Sequence, residues 1–129
     1  MAKGIPGIDR RRHPRYEFFA QVRIHSEQEE FIMELVNISL SGALIHMGGY
    51  ARPDWLHMGR QLQIAITNPV SLTLVQLEST LRRIIQMPGL GFAVEFVGSD
   101  EETTRALKEL VTLAERSASR RGPPPVPKA

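Results

Sequence analysis

The sequence predicts a mainly β fold, a small antiparallel β-barrel with one C-terminal α-helix. Three observations predict it. Short runs of alternating apolar and polar residues recur along the chain, turn-forming residues separate them, and one late segment changes to helical spacing. Many short strands followed by a single helix suit a barrel capped by that helix. The chain has 129 residues, the size of one domain with short tails. With 42% hydrophobic and 23% charged residues, its middle is expected to fold.

Residues 1–9 carry Gly4, Pro6 and Gly7 without periodicity and read as a flexible arm. AQVRIH then alternates, with Ala20, Val22 and Ile24 on one face and Gln21, Arg23 and His25 on the other. SEQEE (26–30) makes a polar turn. FIMELVNI is a second strand, with Phe31, Met33 and Leu35 on one side, and GALIHM a third. GGYARPDWLHMG reads as a longer loop with an exposed-looking Asp54-Trp55; for Trp55, a partner contact and a core plug at the barrel edge both stay open. QLQIAIT turns Leu62, Ile64 and Ile66 inward, and Asn68-Pro69 turns the chain. SLTLVQLESTLRRII is long for one strand, so a bend or bulge is expected within it. Pro88-Gly89 is the next turn, and GFAVEF closes the β region.

Ser99 and Glu102 have the spacing of a capping box, and Leu107, Leu110, Val111 and Ala114 repeat on one helical face. The predicted helix runs from about Asp100 to about Arg116. SASRRGPPPVPKA is proline-rich, and a disordered basic tail is expected over 119–129, leaving 10–118 as the domain.

No cysteine is present, which excludes disulfides and thiolate chemistry and suits a reducing cytoplasm. The first residues lack the apolar run of a secretory signal, and no segment approaches the ~20 apolar residues that span a bilayer. The expected location is cytoplasmic, without membrane insertion. Net charge is +2, but Arg10, Arg11, Arg12 and Arg15 crowd the entrance while SEQEE and SDEE are acidic. Such local charge favours a small anionic ligand over a long polyanion, and no nucleic-acid partner is expected. His13, His25, His46 and His57 are scattered, without metal-ligand spacing. No nucleophile–base pair or phosphate loop is evident, so the chain does not read as an enzyme.

Two stretches carry chemistry. In IDRRRHPRYEF, Pro14 disfavours helix at His13, and in an extended segment Arg11 and Arg15 point the same way. Arginine forks grip phosphate or the O6/N7 edge of guanine, and their flat faces stack on bases. The cluster alone also reads as a solvated basic tag. In NISLSG, Asn37 offers an acceptor and a donor, Ser39 a hydroxyl, and Gly42 a position free to take positive φ. That stretch alone also reads as an ordinary turn.

Taken in order, RRHPR, a pair of strands, NISLSG and a late LGFAVEF before a helix resemble the PilZ domain family, from about Arg10 to the end of the helix. That family carries R-x-x-x-R, here Arg11 to Arg15, and [D/N]-x-S-x-x-G, here Asn37 to Gly42. The resemblance implies a PilZ-type barrel and a receptor for cyclic di-GMP. It places Arg11 and Arg15 on guanine and phosphate, Asn37 and Ser39 on a guanine, and Gly42 in the turn. Asn37 stands where Asp is frequent, keeping an acceptor without the charge. A basic residue before the first motif arginine, here Arg10, goes in the family with an intercalated dimer of the ligand. The expected protein is a stand-alone receptor that signals to an effector protein. The alternative is a PilZ-fold adaptor that binds protein only. Arg82 and Arg83 lie on a strand near the closing turn, and which of them faces the site stays open.

Overall fold

The computed structural model describes residues 14–87, 89–98 and 100–121. Its elements are β1 (Tyr16–Ser26), β2 (Glu29–Ile38), β3 (Gly42–His46), β4 (Gln61–Thr67), β5 (Leu74–Met87), β6 (Gly89–Phe96) and α1 (Glu101–Arg121). The strands close into an antiparallel barrel in the order β1-β2-β3-β6-β5-β4, with β4 returning to pair with β1. Closure leaves no free sheet edge around the ring.

Period-two alternation fills the interior as the sequence predicts. Val22, Ile24, Leu35, Ile45, Ile64, Ile66 and Leu81 are wholly enclosed, joined by Phe92 from β6. Each such side chain contributes about 1.5–3 kcal/mol of burial. The pairing register shifts in three places, and two of these bulges break the alternation. One between Leu35 and Asn37 turns Ile38 inward, and one between Leu81 and Arg83 is the irregularity expected in β5; a third, between Glu17 and Ala20, shifts the pairing while Phe18 stays inward and Phe19 outward, in step with Ala20, Val22 and Ile24.

Helix α1 lies across β1 and β5. It buries Leu107, Leu110, Val111 and Ala114, the four residues its spacing singles out. The Tyr16 hydroxyl, at the start of β1, donates to Glu115 Oε2 at 3.0 Å, and this bond raises the phenol above its usual 10.0.

Two expectations are revised, and the alternative left open at Trp55 is decided. Ser99 lies outside the described residues, and the observed N-cap is Asp100, whose Oδ1 accepts the Thr103 N–H at 2.7 Å. The bond lowers the Asp100 carboxyl below its usual 3.8. The helix also continues to Arg121, past the expected end at Arg116 and into residues assigned to the tail. For Trp55 the core plug is the alternative found. It is 4% accessible and meets Phe31 and Phe92 edge-on at 5.5 and 5.7 Å, sealing one end of the core. The expected arm, 1–9, and the tail beyond Arg121 lie outside the described residues.

Candidate functional site

The stretch NISLSG folds into a turn organised by Ser39. Its Oγ accepts the backbone N–H groups of Ser41 and Gly42, each at 3.1 Å, and lies 3.3 Å from the Gly42 carbonyl that it can donate to. The Ser39 N–H donates to that same carbonyl at 2.9 Å, and the residue is fully buried. Ser39 thus shapes the turn, as Ser does when its hydroxyl bonds nearby backbone. The Phe96 N–H donates to the Ser41 carbonyl at 2.8 Å, fastening the turn to β6.

Gly42 occupies this place for a reason other than the expected one. It is absent from the positive-φ glycines among the described residues, which are Gly48, Gly59 and Gly89. A Cβ at residue 42 would instead run into the carbonyl oxygen of Val94 on the paired strand. Only glycine lets β3 and β6 approach this closely, and the result is a bare stretch of sheet beside the turn.

Over that floor opens a groove of about 660 Å³, lined by Arg15, Leu40, Ser41, Gly42, Arg82, Arg83 and the β6 residues Ala93 to Phe96. Arg15 enters from the segment before β1 and is half-buried. Arg82 and Arg83 both reach the groove because the bulge after Leu81 breaks the alternation that would separate them. Their situations differ. Arg82 Nε and Nη2 both reach Oε1 of Glu95, at 2.8 and 2.6 Å, whereas Arg83 has no ion pair among the described residues. Three arginines against one carboxylate make the groove cationic, which suits a phosphate-bearing ligand.

The structure therefore brings Arg15 and Gly42 together, adds Arg82 and Arg83, and encloses Ser39 beneath the floor. Asn37 stands in the β2 bulge outside the groove lining, with its Oδ1 buried and lacking a hydrogen-bond partner among the described residues. Arg10 and Arg11 lie outside the described residues. Glu95 escapes sequence reasoning, since its place beside Gly42 is visible only once the β3–β6 register is known. A second groove of about 450 Å³, between Val70 and the outer face of α1, contains none of the motif residues. Among the described residues no group of His, Asp or Glu is arranged to hold a metal, and no helix is long and apolar enough to cross a membrane.

A PilZ domain family model matches residues 9–113. No curated protein matches the sequence. Among solved structures, the chain is similar to the PilZ domain with c-di-GMP of YcgR from Escherichia coli: TM-score 0.71, 19% identity, covering 88% of this chain and 97% of that one. It is also similar to the Bacillus subtilis inhibitor of motility MotI/DgrA, with TM-score 0.71, 21% identity, and 85% of this chain covering 53% of that one. The MrkH–c-di-GMP complex of K. pneumonia has TM-score 0.71 at 13% identity, with 88% of this chain covering 55% of that one. The chain thus spans about half the length of MotI/DgrA and MrkH.

Proposed function

The chain belongs to the PilZ domain family, and from that premise we propose that it is a receptor for cyclic di-GMP. The observation that carries the reading is the cationic groove over Gly42, where the second motif arginine, Arg15, and the glycine of the second motif meet. Two phosphates of the ligand find cations there, and its guanines find planar guanidinium faces and forks. The E. coli and K. pneumonia relatives named above are complexes with this ligand.

In this reading Arg10 and Arg11 work with Arg15 on the bound nucleotide. The Asn37 Oδ1, without a partner among the described residues, is an acceptor for the ligand, and a buried acceptor costs free energy until a donor reaches it. Ser39 acts by holding the turn. The domain covers 10–118, with 1–9 as an arm and 119–129 as a basic tail that the helix enters as far as Arg121. The protein carries no catalytic step. Ligand orders the arginine segment, and an effector protein reads that change in a cytoplasmic setting.

Titration calorimetry of the full chain with cyclic di-GMP, beside GTP and a short oligonucleotide, tests the reading. Binding of cyclic di-GMP alone supports it. Silence with all three favours the protein-only adaptor, and binding of the oligonucleotide favours a nucleic-acid protein.

A further inference from the structure

Glu95 is out of place in a groove built for phosphate, where a carboxylate repels the ligand's charge. Its position is nevertheless fixed. It pairs with Gly42 on one side and Thr80 on the other, so it stands on the floor of the groove. Arg82 grips Oε1 with two N–H groups, and Oε2 has no partner among the described residues. An ionised carboxylate only accepts hydrogen bonds. One held by a guanidinium with an oxygen left open is an acceptor aimed at a neutral donor. Guanine presents two such donors side by side, N1–H and the N2 amino group. Adenine presents an acceptor, N1, where guanine has N1–H.

Resting on the receptor reading above, we propose that Glu95 recognises the Watson–Crick edge of a guanine in the bound cyclic dinucleotide, and that Arg82 is its positioning residue. The pair would then select guanine over adenine, while Arg15 and Arg83 serve the phosphates. Charge-assisted bonds from N1–H and N2–H to a carboxylate are stronger than neutral ones. A site built for a donor also rejects the base that lacks it, because its own acceptor is left unpaired.

The test measures affinities of the full chain for cyclic di-GMP, cyclic di-IMP (which lacks the N2 amino group) and cyclic di-AMP, in wild type, Glu95→Gln and Arg82→Ala. Wild type should rank them in that order. Glu95→Gln should lose about tenfold or more for cyclic di-GMP and change little for cyclic di-AMP, collapsing the discrimination. Arg82→Ala should narrow the same ratio. Melting temperatures should stay near wild type, since both side chains are more than half exposed, at 54% and 59%. Tighter binding of all three dinucleotides by Glu95→Gln would make Glu95 a mere counter-charge and overturn the inference. If wild type binds and Glu95→Gln leaves the ratio unchanged, the inference is overturned too, with the receptor reading intact. A wild type that binds none of them overturns both.

Discussion

At residue 42 the demand for glycine comes from across the sheet, because the Val94 carbonyl occupies the space of a side chain. Gly42→Val should therefore cost about 1–3 kcal/mol by overpacking. Gly42→Asn should also destabilise, although asparagine tolerates positive φ, because it still carries a Cβ. Urea unfolding followed by fluorescence of the single, buried Trp55 measures both; a fully stable Gly42→Asn would contradict the steric account. Arg15 and Ser39 separate differently. Arg15→Ala should remove charge-assisted contacts worth roughly 1.5–3 kcal/mol, about tenfold or more in affinity, and barely move the melting temperature. Ser39→Ala removes the hydroxyl that holds three backbone groups of its turn, so it should lower stability by about 1 kcal/mol and weaken binding with it. Calorimetry paired with thermal melts distinguishes the two patterns. Motif spacing was enough to find Gly42 and Arg15. The reason for the glycine and the presence of Glu95 depend on strand register, which pairs residues more than fifty positions apart and leaves no local trace.

Elements were legible wherever one physical rule governs a run of residues. Period two placed Val22, Ile24, Leu62, Ile64 and Ile66 inside, and helical spacing selected the buried face of α1. Bulges answer to no such period, so the inward turn of Ile38 after Asn37 could not be read. Trp55 sits in a polar, glycine-bearing loop whose local letters leave both a partner contact and a core plug open, and the edge-on contacts with Phe31 and Phe92 that decide it come from distant strands. The helix N-terminus shows two local signals in competition, Ser99 and Asp100. Asp100 caps, and its carboxylate stabilises the helix through the Thr103 N–H. Its lowered pKa fixes the sign of a pH effect: the stabilisation is fully present above the unfolded value of 3.8 and is lost as pH falls through the folded value. Asp100→Ala should accordingly melt below wild type at neutral pH, with the gap closing in strong acid. A gap that persists undiminished in acid would show that the cap does not act through the ionised carboxylate.

For the whole molecule, the relevant quantity is where charge collects. The net value is only +2, yet the groove combines Arg15, Arg82 and Arg83 with one carboxylate, and the chain supplies Arg10, Arg11 and Arg12 just ahead of it. The proline-rich tail after α1, with Lys128 as its one basic residue, contains no motif residue. Removing residues 122–129 should leave cyclic di-GMP affinity unchanged, and a truncated, folded chain with weakened binding would make the tail part of the site. The entrance arginines bear on how many ligands bind. Two stacked copies of cyclic di-GMP bring four phosphate charges into one groove, and their mutual repulsion calls for more cations than one copy needs. Arg10 precedes the first motif arginine and supplies one, with Arg12 close by in sequence. The expectation is two ligands per chain for wild type and a shift toward one for Arg10→Leu, counted by calorimetry or native mass spectrometry. Since counter-charge is the cause, added salt should weaken the binding, and more steeply for the second copy than the first. A wild-type ratio of one that Arg10→Leu leaves unchanged would overturn this role of Arg10, and Arg15 and Arg83 would then suffice for a single ligand's two phosphates.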